Sequence, residues 1–135
     1  MVSTEITLTA QFYDLDPMGV VWHGNYARFL EQVRCQLLDS IGYNYAEMQA
    51  SGYIWPIVDM QIKFVRPIRF HQKFIVAATI VESANRLKIE YIVRDQASGE
   101  VLTKAHTTQV AVEAATNELC LESPAVLTDR LKGLS

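Results

Sequence analysis

Residues 16 to 26 of this chain read DPMGVVWHGNY, which brings a carboxylate, a turn and an imidazole into close order. Asp16 precedes Pro17, so its backbone is pushed toward an extended conformation and away from helix. Pro17, Met18 and Gly19 then turn the chain, with Gly19 free to take positive φ. Val20, Val21 and Trp22 are apolar enough to hold the next segment down, and His23, Gly24 and Asn25 stand where a helix begins. The first N–H groups of a helix have no intrahelical acceptor, and the helix dipole there favours negative charge. A carboxylate just upstream of such a terminus is the layout that acyl transfer needs. One group attacks or activates water, and N–H donors hold the oxyanion.

Plainer readings compete at each position. An Asp-Pro pair followed by a glycine is also ordinary turn chemistry, with Asp16 capping its own turn. Asp14 is a rival carboxylate on the same face if the preceding strand continues, and Glu31 is another that also fits a solvated or ion-paired helix position. A histidine at a helix start, such as His23, also reads as a donor or a packed ring. Met18, Tyr53, Trp55, Met60 and Phe64 are large enough to line an acyl pocket, and each reads equally as a core or interface residue. His71 and His106 fall in a connector and a strand with no visible carboxylate partner, and read as structural or surface residues.

The elements that must position this stretch follow from periodicity. Residues 5 to 13, EITLTAQFY, alternate with Ile6, Leu8, Ala10 and Phe12 on one face, the pattern of a half-buried strand. Tyr26, Phe29, Leu30, Val33, Leu37 and Leu38 recur at helical spacing, and Gly42 is a stop signal. The stripe is wide, which predicts a helix wrapped by sheet over most of its circumference. Residues 44 to 52 read as a short second helix or an irregular segment. Beyond Pro56, four runs (57–65, 73–81, 87–95 and 101–112) are rich in Val, Ile, Thr and aromatics. The connectors RPIRFHQ, ESANR and DQASGE are of the length that hairpins and meanders use. Residues 118 to 122 form a final run that pairs or trails off, and the tail from Ser123 has a turn and then a short helical pattern. The order predicts an α+β fold, one domain over residues 1–135, with an antiparallel sheet curled around one long helix. An open sheet edge also predicts at least a dimer.

Composition narrows the function classes. The chain has 135 residues, half of them apolar and a fifth charged, which is a globular composition with enough length for a core. A net charge of −3 and the lack of basic blocks argue against nucleic acid as a partner. Cys35 and Cys120 are the only cysteines, too few and too far apart for a zinc motif or a disulfide framework, so free thiols are expected. No signal peptide or membrane span is expected either, which makes the cytoplasm the predicted compartment.

The stretch YDLDPMGVVWHGNYARFLEQVR resembles the 4-hydroxybenzoyl-CoA thioesterase-like branch of the hotdog-fold acyl-CoA thioesterases. That branch carries Asp-x-x-Gly-hydrophobic-Val-aromatic-His/Tyr-x-x-Tyr before its long helix, matched here at Asp16, Gly19, Val20, Val21, Trp22, His23 and Tyr26. Phe29, Leu30 and Glu31 continue the match, and PIVDMQIKFVRPIRFHQKFIV resembles the branch's next two strands, with Pro67 between them. The resemblance runs to about residue 113.

It implies a hotdog domain that hydrolyses an acyl or aroyl thioester without a metal or other cofactor. Asp16 would be nucleophile or general base, and the His23 N–H would polarise the thioester carbonyl. The His23 side chain would orient substrate or water. Asp16 and His23 are thus the expected catalytic residues, and Gly19, Val21, Trp22, Tyr26, Trp55, Met60 and Arg86 the expected substrate contacts. Arg86 falls where the family binds coenzyme A phosphates, but SANRLK is less basic than the family's pattern, so an acyl carrier protein is an alternative carrier. A homodimer or homotetramer is implied. Two rival functions remain: dehydration of 3-hydroxyacyl thioesters on the same fold, with His23 and Asp16 or Glu31 as the pair, and acyl-thioester binding without catalysis.

Overall fold

β-Branched and aromatic residues concentrate in the runs that become strands. In the computed structural model, which describes residues 1–134, the strands are β1 (Ser3–Thr9), β2 (Tyr53–Ile54), β3 (Ile57–Phe64), β4 (Lys73–Glu82), β5 (Leu87–Asp95), β6 (Val101–Gln109) and β7 (Val112–Glu113). Five form one sheet in the order β1-β4-β5-β6-β3, with every neighbouring pair antiparallel. The short β2 and β7 pair separately. The helices are α1 (Tyr26–Ser40), α2 (Tyr45–Ala50) and α3 (Ala125–Leu131).

The apolar stripe of α1 packs on the inner face of the sheet, over β1 and β4. Phe29, Leu30, Val33, Leu37 and Leu38 are buried there against Phe74, Val76 and Ala78 of β4 and Leu87 and Ile89 of β5. Truncating one such buried leucine to alanine costs about 2–5 kcal/mol, more than a surface ion pair contributes, so apolar burial docks the helix. Gly42, at φ +70°, ends it in the left-handed conformation that glycine takes without strain. This is the hotdog arrangement, a curled antiparallel sheet with one long helix against it.

Several details depart from the sequence expectations. The sheet covers one side of α1 rather than most of its circumference, because Arg28, Glu31, Gln32, Gln36 and Asp39 make the other side polar and exposed. β1 stops at Thr9, not at residue 13. Gln11 N–H donates to Asp14 Oδ2 at 2.9 Å, residues 12–14 wind into a 3-10 turn, and Phe12 swings out to 77% exposure against Phe70. The 101–112 run divides at Val110. Residues 118–122 do pair, through a Leu119–Val112 bridge.

The connector after β3 is no hairpin. It carries the chain from one edge of the sheet to β4, beside the strand at the other edge. On the way it is fastened by Val21 N–H to Ile68 O (2.8 Å) and His71 N–H to Ala10 O (3.0 Å). That crossing is what brings residues 65–67 beside Asp16.

Candidate active site

The Asp16 turn is closed by its own backbone. Asp16 N–H donates to Val20 O at 2.9 Å and Gly19 N–H to Asp16 O at 3.0 Å, with Gly19 at φ +77°. Met18 N–H donates to Asp16 Oδ1 at 2.9 Å, which fixes one carboxylate oxygen. Oδ2 receives no hydrogen bond from the described residues. The ascending limb is held by the Leu15–Val21 and Val20–Arg69 bridges.

A 3-10 turn, His23–Asn25, leads from this limb into α1. Trp22 N–H and Asn25 Nδ2 both donate to Asp14 O, at 2.9 and 2.8 Å. Asn25 N–H donates to Trp22 O and Tyr26 N–H to His23 O. The N–H groups of His23 and Gly24 are left without an acceptor among the described residues. Two adjacent free donors at a helix start are suited to a developing oxyanion. Gly24, placed at the helix start by the sequence, also has a steric role: a Cβ there would lie 2.4 to 2.7 Å from the Trp22 ring. Trp22 therefore lies flat on this glycine, tilted against His23 at 5.3 Å.

A cleft of about 250 Å³ joins these parts. Asp16, Met18, Val20, Val21, His23 and Tyr26 line one side, and Phe64 to Pro67 the other. Tyr26 and Phe64 meet edge to face at 4.9 Å between centroids. Burial pushes the Tyr26 phenol up, and the nearby Asp16 charge adds to the shift, so the ring presents a neutral hydroxyl. The cleft thus holds a carboxylate with a free oxygen, an imidazole, a phenol and a helix start in one water-accessible space.

The other carboxylates have different employment. Asp14, 3% exposed, accepts from Gln11 N–H at 2.9 Å and from Arg28 Nη2 at 2.7 Å, so it clamps the two turns together. Glu31 is exposed and makes no ion pair among the described residues.

The remaining expected residues are scattered. Gly19 is at the tip of the Asp16 turn. Met60 projects from β3 on the same face as Phe64 but does not line the cleft. Trp55 is buried away from it, donating from Nε1 to Tyr43 OH at 3.1 Å and accepting Gln109 Nε2 on its carbonyl at 2.8 Å. Tyr53 is in β2. Arg86 sits outside the cleft in the β4–β5 hairpin and bonds Glu82 at 2.9 Å. His106 does find a carboxylate, with Nδ1 3.6 Å from Asp59 Oδ2 on the outer face of the sheet, a cross-strand pairing that register alone reveals. Cys35 and Cys120 are free thiols, and burial pushes that of Cys35 up. Among the described residues no three metal-ligating side chains gather, and no helix is long and apolar enough to cross a membrane.

The chain is similar to known proteins over most of its length. The profile of the thioesterase-like superfamily matches residues 10–131. The esterase-like protein sll0410 of Synechocystis is 30% identical over 128 residues, which is 94% of this chain and 77% of that one. The acyl-acyl carrier protein thioesterase ATL3 of Arabidopsis thaliana is 36% identical over 90 residues, 66% of this chain and 47% of that longer protein. Among solved structures, the DHNA-CoA thioesterase from Staphylococcus aureus superposes with a TM-score of 0.80 at 25% identity, over 90% of this chain and 81% of that one.

Proposed function

The chain belongs to the thioesterase-like superfamily and is a thioester hydrolase; on that premise we propose that Asp16 and the start of α1 carry out the hydrolysis. The observation that supports this most is that Asp16, with one carboxylate oxygen free, lines the same cleft as His23, whose N–H and that of the adjacent Gly24 have no acceptor among the described residues. The thioester carbonyl oxygen accepts from those N–H groups, which polarises the carbon and then holds the tetrahedral oxyanion. Asp16 either attacks the carbon, expelling the thiolate and leaving an anhydride that water opens, or takes a proton from an attacking water. The His23 imidazole orients substrate or water. Trp22, resting on Gly24, covers the donors from one side, and Val21, Tyr26 and the Gly19 turn shape the cleft. Trp55, Met60 and Arg86 remain proposed substrate contacts that a bound acyl carrier would have to reach beyond it.

The substrate is an acyl- or aroyl-CoA, with an acyl carrier protein thioester as the alternative carrier. The domain over residues 1–135 acts in the cytoplasm as a homodimer or as a homotetramer built from two such dimers, with no nucleic-acid or membrane partner. Support for the dimer comes from β3, an edge strand of eight residues on which Ile57, Val58, Met60 and Phe64 are 41 to 58% exposed. Such an edge pairs readily with its own copy about a twofold axis.

The test is thiol release from aryl-, short- and long-chain acyl-CoAs by the wild type and Asp16→Asn. Turnover that vanishes in the variant supports the assignment. Turnover that survives in it removes Asp16 from the chemistry, and water elimination from a 3-hydroxyacyl thioester would favour the dehydratase. Single turnover in oxygen-18 water separates the two routes, because only the covalent one labels Asp16.

A further inference from the structure

Arg34 stands on the buried stripe of α1, 4% exposed, with no carboxylate within ion-pair distance among the described residues. Its Nε donates to Tyr45 OH at 2.9 Å and its Nη1 to Tyr91 OH at 3.3 Å. Tyr91 OH in turn shares a hydrogen bond of 2.7 Å with Thr107 Oγ1. Nη2 has no acceptor among the described residues. Burial pushes the Tyr91 phenol up, so it is a neutral dipole and not a counter-ion. Guanidinium cannot shed its charge inside a protein, and a buried charge without an opposite partner is costly. The arrangement favours an incoming anion.

The position of this cation relative to the cleft is set by two periodicities. Tyr26, Leu30 and Arg34 lie at i, i+4 and i+8 on α1, a stripe about 12 Å long at 1.5 Å per residue. Phe64, Ile62 and Met60 alternate on the inner face of β3, covering about 13 Å. The two rows are tied at both ends. Tyr26 meets Phe64 beside Asp16, while Met60 is the register partner of Thr107, whose hydroxyl leads through Tyr91 to Arg34. Within one protomer α1 packs over β1 and β4 and leaves the inner side of β3 partly uncovered, with Met60 45% and Phe64 50% exposed, so a copy pairing along β3 would border the same row.

We propose that this groove takes the acyl chain, and that Arg34 binds a carboxylate at its far end. The preferred substrate is then a medium-chain acyl thioester with an ω-carboxyl group. The inference rests on the reading of Asp16 and the start of α1 as the thioester site.

The test compares decanoyl-CoA with the mono-CoA thioester of sebacic acid, a chain of equal length ending in a carboxylate. The wild type should favour the carboxylated substrate in kcat/KM by at least about tenfold, the scale of one charged hydrogen bond. Arg34→Gln should bring the two substrates level. Should that variant fail to fold, Tyr45→Phe removes one of the hydroxyls that aim the guanidinium and should shrink the preference. Equal turnover of the two by the wild type, or a preference that survives in the variants, overturns the proposal while leaving the thioesterase intact. Binding of non-hydrolysable thioether analogues of both compounds separates the remaining case. Arg34-dependent binding of the carboxylated analogue without turnover of either thioester upholds the groove and rejects the hydrolytic site. If Arg34→Gln instead dissociates a dimer by light scattering, a carboxylate of the second copy is the counter-ion and the proposal falls.

Discussion

Asp14 and Asp16 are two residues apart, yet their surroundings make them different instruments. Asp14 is almost wholly enclosed, with Gln11 N–H and Arg28 on its carboxylate and Trp22 N–H and Asn25 Nδ2 on its carbonyl. The contacts from Arg28, Trp22 and Asn25 join the 3-10 turn at Phe12–Asp14 to the start of α1, and the one from Gln11 closes the turn itself. Asp16 is tethered by a single N–H, from Met18, and keeps an oxygen free in the cleft. The difference teaches how the region is built. One carboxylate is saturated with partners to hold two turns in register, and the next is left undersatisfied where a substrate carbonyl can approach. On the proposed mechanism, which acid acts is decided by hydrogen-bond vacancy and not by its place in the chain.

The sharpest way to break that comparison is to make the same isosteric change at both positions. Asp16→Asn should lower kcat by at least about 10²-fold, the scale of an essential acid–base or nucleophilic group. Its Tm should be unchanged, because Asn can still accept from Met18 N–H. Asp14→Asn should do the reverse. It weakens the pairing with Arg28, whose side chain is half exposed, so the loss of stability by chemical denaturation should be about 1–2 kcal/mol and not the full figure for a buried pair. The folded fraction should retain measurable turnover. A large kcat loss in Asp14→Asn with unchanged stability would exchange the two roles.

A smaller effect sharpens the Asp16 side. Gly24→Ala puts a methyl where the Trp22 ring lies, and since Trp22 is 49% exposed the ring can swing away at little cost. Stability should fall by less than about 1 kcal/mol. Tryptophan fluorescence should shift toward that of a solvated ring, and KM should rise several-fold with a smaller change in kcat. His23→Ala belongs to the same scale, because the backbone N–H survives the change. If it proved as damaging as Asp16→Asn, the imidazole would have to be given a chemical role.

Local chemistry explains which of these features could be read from the sequence. The Asp16 turn is written in contiguous residues, since Asp-Pro and the glycine fix it without outside help, and the helix start follows directly. The strands and α1 were legible because burial on one side imposes periods of two and 3.6. What long-range pairing decides was not legible. The Asp14–Arg28 bond joins residues fourteen apart, and the crossing of residues 65–72 depends on β3 pairing with β6 and not with β4. The Trp55–Tyr43 contact was not legible, because a large aromatic ring reads the same in sequence whether it faces a ligand or another ring. Arg34 passed unnoticed because an apolar stripe is recognised by its leucines, and a cation within it breaks no period.

Asp95 supplies a third carboxylate against which the first two can be measured. Its Oδ1 accepts from Gln72 Nε2 at 2.9 Å, and its Oδ2 accepts from the N–H and Oγ of Ser98, both at 2.9 Å. The Gln72 and Ser98 donors hold its carboxyl below the usual carboxylate range. A group whose folded-state pKa is depressed contributes stability that is present above its unfolded pKa and lost as pH falls through the folded one. Asp95→Asn should therefore lose a small stabilisation near neutrality, small because the group is exposed, and make the acid limb of a stability–pH profile slightly shallower. Like Asp14 it is rich in donors, but it stands at a turn where water can replace them. Its effect should be the smallest of the set, and a loss at neutral pH as large as that of Asp14→Asn would mean that donor count, rather than enclosure, sets what a carboxylate contributes here.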